Sequence, residues 1–162
     1  MNKFRQPVVA VSHGYIGLDT HSKTAKNVAD IFNKIYTSDA QLSKRILFLS
    51  AHWEGHSNGI EISKPAAPEM FYDYSGFPAV SYELVYGAKG DSAFATRVND
   101  LLSQSSIASK LVERPYDHGT FVPMFLTRPQ ADIPIVIMSA NDRTLNAKAH
   151  FEPSRQFVTK KR

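Results

Sequence analysis

The chain has 162 residues, 43% of them hydrophobic and 21% charged, with a formal net charge of +4 and no cysteine. That length and balance suit a single domain, residues 1–162, able to bury a core unaided, and exclude disordered, collagenous and disulfide-scaffolded classes. No apolar run is long enough to cross a bilayer, and Met1–Pro7 lacks the apolar centre of a signal peptide, so a cytoplasmic chain with no membrane partner is expected.

Much of the positive charge falls on Arg155, Lys160, Lys161 and Arg162. Residues 158–162 read as a solvated basic tail, and no nucleic-acid partner is expected, because no zinc-finger spacing, RNA-binding aromatic signature or basic helix accompanies them. Without thiols, any metal must be held by His, Asp or Glu.

Taken in order, Pro7-Val-Val-Ala-Val-Ser12 is a short apolar run of the kind found in buried strands, and it ends in His13-Gly14. From Ser22 to Tyr36, Val28, Ile31, Phe32 and Ile35 recur at helical spacing, with Ser22 or Thr24 able to cap the start. This helix is expected to carry the chain back for a parallel strand at Arg45–Ala51, buried on both faces, which ends in His52-Trp53-Glu54. In open α/β sheets ligands bind beyond the carboxyl ends of the strands. Two strands that each end in histidine therefore place His13 and His52 where they can share a metal, provided the strands are parallel near-neighbours.

Gly59–Ser63 alternates like a short strand. The loop that follows, Met70-Phe-Tyr-Asp-Tyr-Ser-Gly-Phe-Pro78, is rich in aromatic residues; it suits either a lid packed on the core or the wall of a pocket for a flat aromatic substrate. Tyr82–Tyr86 reads as an edge strand, and Asp91 caps a helix with Phe94, Val98, Leu101 and Leu102 on one face. Asp117-His118-Gly119 stands before another helix start. A histidine there, beside a carboxylate, suits proton transfer, with Asp117 as a plain N-cap the alternative. Ile133–Ser139 is one more buried strand, and His150–Phe157 opens a last helix.

Three of these stretches, Ser12-His-Gly14, Ser50-Ala-His-Trp-Glu54 and Asp117-His-Gly-Thr-Phe-Val-Pro123, resemble in order and spacing the histidine motifs of the class III extradiol ring-cleavage dioxygenases, in their LigB-like DOPA dioxygenase group. Tyr72–Pro78, Ala131–Val136 with Ser139, and His150-Phe-Glu152 extend the resemblance over nearly the whole chain. It implies an α/β fold, a three-layer αβα sandwich around one central, largely parallel sheet. It also implies an oxidoreductase that inserts O₂ into a catechol-type substrate at a non-haem metal, Fe(II), or Zn(II) as the bound ion. His13 and His52 would be the metal ligands, His118 the catalytic residue, and Tyr72, Phe77 and Asp117 substrate contacts.

Members of the family continue beyond the position of Arg162 to a further histidine ligand. The fold is accordingly expected to be incomplete at the C-terminus, with an unpaired edge near Ile133–Ser139 and a second copy of the chain as a possible partner. The alternative functions are a catalytically incompetent relative that binds metal or a partner, and a zinc-dependent hydrolase using Glu54 or Asp117 as base.

Overall fold

The computed structural model describes residues 6–11, 22–36, 38, 41–55 and 58–140. Its first helix, α1 (Lys23–Ile35), begins where the Ser22 side chain accepts a hydrogen bond from the Ala25 N–H, a cap of the expected kind. Four strands form the main sheet: β1 (Ile46–Glu54), β2 (Ile60–Ser63), β4 (Ser109–Val112) and β6 (Ile135–Ala140), in the order β1, β6, β2, β4. The β1–β6 and β2–β4 pairs are parallel and β2–β6 is antiparallel, so the sheet is mostly parallel. A two-residue strand, β3 (Met70–Phe71), pairs in parallel with β5 (Tyr116–Asp117) to make a second, smaller ladder. The remaining helices are α2 (Ser92–Ser103), capped by Asp91, and α3 (His118–Thr127), capped by Asp117.

The period-two alternation of β6 builds the layers. Ile135 and Ile137 face Trp53, Tyr116, Phe121 and Met124, with Phe32 of α1 packed against that cluster. Val136 and Met138 face the opposite way, onto Ile60, Ile62 and the Ala95, Val98 and Leu102 stripe of α2. Helices thus cover both faces of one sheet, the αβα layering that the family resemblance implies.

Four expectations change. Pro7–Val11 forms no strand among the described residues: Val8 is 86% exposed, because an apolar run becomes a strand only where a neighbour pairs with it. The crossover from that segment through α1 is therefore not seen, and Ser12 and His13 lie outside the described residues, as do His150–Phe157 and the basic tail. Second, β1 is not buried on both faces, since Leu49 is 54% exposed.

Third, β6 is not an unpaired edge; it is paired on both sides, and β1 and β4 are the edge strands of the described sheet. Fourth, Tyr82–Tyr86 is not a strand. A single 3₁₀ turn, Ala79–Tyr82, is followed by irregular chain, and side chains take carbonyls of both instead of a ladder: Tyr74 donates to the Ser81 carbonyl in the turn and Tyr72 to that of Leu84 beyond it. No described helix is long and apolar enough to cross a membrane.

Candidate active site

The site forms where the carboxyl end of β1 meets the start of α3. Through Ser50 the β1–β6 register is regular, with Ser50 opposite Ser139; the next pairing is Glu54 with Ala140, so residues 51–53 bulge out of the ladder. A bulge re-aims side chains at a strand end, and His52 sits within this one. From the other side the short β3–β5 ladder pairs Phe71 with Asp117. Asp73, two residues beyond Phe71, and His118, one beyond Asp117, are thereby brought together.

The contact is close. Asp73 Oδ1 accepts the His118 backbone N–H at 3.0 Å and lies 2.6 Å from His118 Nδ1. His52 Nδ1 is 3.7 Å from Asp73 Oδ2, and the two imidazole rings meet at 4.1 Å between centroids, inclined by 60°. Gly119 makes this approach possible: a Cβ at that position would lie 2.5 Å from His52 Cδ2.

Burial alone would push the Asp73 carboxyl up, but the hydrogen bonds from the His118 backbone and ring, together with the charge of that ring, outweigh it and hold the group below its usual value. An ionised Asp73 accepts and cannot donate, so His118 Nδ1 is the donor in this contact. Beside the pair, the ring of Tyr74 stands edge-on to His118 at 5.4 Å, and Tyr74 in turn packs on Phe77 at 5.4 Å and Tyr82 at 5.2 Å.

His52, Asp73 and His118 each offer one ligating atom, all within 4.8 Å of one another, so the group has the nitrogen and oxygen donors to hold a metal ion. Ligands about 2.0–2.2 Å from a single ion are roughly 3–4 Å apart. The 3.7 Å between His52 Nδ1 and Asp73 Oδ2 fits that spacing, whereas the 2.6 Å between Asp73 Oδ1 and His118 Nδ1 is a hydrogen bond. His52 and Asp73 thus suit a metal, with His118 held alongside.

Of the residues singled out in the sequence, His52 and His118 come together and His13 lies outside the described residues. Asp117 lies beneath them. Its side chain is fully buried, and Oδ1 accepts from the Thr120 N–H and Oγ1 and from Ser50 Oγ, so the carboxylate serves the interior and makes no face for a substrate. Tyr72 is half-buried, its ring on Phe121 and its hydroxyl on Leu84, and Phe77 is half-buried against Tyr74.

Asp73 and Tyr74 are the residues that sequence reasoning missed. Their one signal was an acidic residue between two tyrosines in a loop otherwise built for packing.

Comparison with known proteins identifies the family. The chain is 38% identical over 142 residues to the dioxygenase tasH of Hapsidospora irregularis, covering 82% of this chain and 43% of that protein. It is 32% identical over 146 residues to a 4,5-DOPA dioxygenase extradiol of Beta vulgaris, covering 88% and 52%, respectively. Its fold superposes on a crystal structure of an uncharacterized protein from Escherichia coli K12 with a TM-score of 0.61 at 25% identity, over 85% of this chain and 48% of that one. The chain therefore spans about half the length of the relatives it matches. Residues 8–152, which contain the whole His52–Asp73–His118 cluster, match the family of the catalytic LigB subunit of aromatic ring-opening dioxygenases, and the chain belongs to that family.

Proposed function

We propose that this chain carries part or all of the active site of an extradiol ring-cleavage dioxygenase acting on a catechol-type, DOPA-like substrate with O₂. The observation that carries the proposal is the convergence of His52, Asp73 and His118 at one sheet end in a chain of the LigB family. His52 and Asp73, joined by His13 as the sequence resemblance suggests, would hold the metal. Fe(II), when bound, supplies the activation of dioxygen, which redox-inert Zn(II) on the same ligands does not.

With Nδ1 donating to Asp73, the neutral His118 ring takes a proton from a catechol hydroxyl at Nε2 and returns it to the product. Tyr74, with Tyr72 and Phe77 beside it, supplies an aromatic wall against which a flat ring can lie.

The test is anaerobic loading with Fe(II) followed by a catechol and oxygen, recorded as the visible absorption of the ring-opened semialdehyde. Coloured product that is lost in His52→Ala supports the reading. Retained metal binding without product overturns it in favour of a metal-binding relative without catalysis.

A further inference from the structure

The buried Asp117 carboxylate does more than an N-cap requires. Any exposed Ser or Asn would cap α3 with less desolvation, yet Asp117 is fully buried and a single oxygen, Oδ1, gathers three donors from two elements. Two of them, the Thr120 N–H and Oγ1, both at 3.0 Å, belong to the first turn of α3. The third is Ser50 Oγ of β1 at 2.9 Å, and that same oxygen accepts the backbone N–H of His52 at 3.2 Å. The carboxylate is therefore two hydrogen bonds from the backbone of one active-site histidine and is the chain neighbour of the other.

Its second oxygen, Oδ2, is buried with no hydrogen bond. Opposite it, 3.9 Å away, is the Arg114 guanidinium, whose Nε is likewise buried and unpartnered. Arg114 is flanked by two rings, with its guanidinium over Trp53 at 5.1 Å and over Phe71 at 5.0 Å. Trp53 belongs to the β1 bulge that carries His52, and Phe71 to the strand that delivers Asp73. The charge pair thus spans the elements that converge on the site.

We propose that Asp117 is a positioning residue whose buried carboxylate, through Ser50 and Thr120 and with Arg114 as its counter-charge, sets the distance and angle between His52 and His118. The proposal rests on reading those two histidines as the working pair. A carboxylate is acceptor-only, so it compels Ser50 to donate, which leaves the Ser50 lone pairs toward the His52 N–H. Gly119 then lets the rings close to contact.

The test uses the full chain with labelled histidine, following the ring resonances of His52 and His118 and the cross-peaks between them by NMR without metal, and then Zn(II) affinity by calorimetry. Ser50→Ala, the milder lesion, and Asp117→Asn, which keeps an acceptor but turns an NH₂ toward Arg114, are expected to shift both rings, weaken their cross-peaks and lower Zn(II) affinity about tenfold. Val98→Ala, on the opposite face of the sheet, is expected to lose stability while both rings stay in place. Unmoved ring signals in folded Ser50→Ala overturn the proposal, even if Asp117→Asn fails to fold. Failure of the wild-type chain to bind metal would instead count against the dioxygenase reading and leave the ring measurement to decide this one.

Discussion

At the scale of single residues the proposed chemistry rests on the hydrogen bond between His118 Nδ1 and Asp73. His118→Ala is expected to lower kcat by about 10²–10⁴-fold, the usual worth of a positioned acid or base, while leaving metal binding largely intact in calorimetry. Loss of metal in that variant would make His118 a ligand. Gly119→Ala drives a methyl to 2.5 Å from His52 Cδ2, so either the ring or α3 must shift. A loss of about 1–3 kcal/mol is expected from the shift in urea midpoint, with activity falling further than stability explains. His52 and His118 were legible because each ends or begins an element where sites occur. Asp73 was not, because its partner is fixed by a two-residue ladder too short to leave a periodic pattern.

Among the elements, both α1 and α2 were legible from spacing and cap residues, Ser22 and Asp91, since these signals are local. Strand placement was not. The apolar run of β1 looks like that of β6, yet β6 is paired on both sides and β1 on one among the described strands, a difference set by partners distant in sequence. The energetic consequence is testable. Leu49→Thr should change stability by less than about 0.5 kcal/mol, as at an ordinary surface position, whereas Ile137→Ala should cost about 2–5 kcal/mol. Equal costs in denaturant titrations would return β1 to the doubly buried class. Likewise Tyr82–Tyr86 has strand-forming residues, but the Tyr72 hydroxyl claims the Leu84 carbonyl there and the Tyr74 hydroxyl that of Ser81 just before it, a competition that no propensity encodes.

For the whole molecule, strands and helices of an α/β class were readable from periodicity and their layering from the family resemblance, while the way the layers meet at the site depended on a bulge and a buried carboxylate. The core also carries an alkaline limit. Burial, reinforced by Asp132 and opposed by Arg128, pushes the Tyr86 hydroxyl up to about 12, and burial raises Tyr116 as well. A raised folded-state value means their stabilisation is complete below the unfolded value of 10.0; that of Tyr86 is lost as pH rises through about 12 and that of Tyr116 at still higher pH, when phenolates can no longer donate to the Arg128, Lys89 and Ile135 carbonyls. Tyrosinate absorbance and unfolding should therefore rise together across that window, and ionisation of both tyrosines in a folded chain would contradict it. The central claim, that His52 and Asp73 hold the metal of this site, is tested most directly by anaerobic calorimetric titration of Fe(II) into the wild-type chain, His52→Ala and Asp73→Asn. The account predicts one-to-one binding that weakens at least about tenfold in each variant; unchanged affinity in both would contradict it.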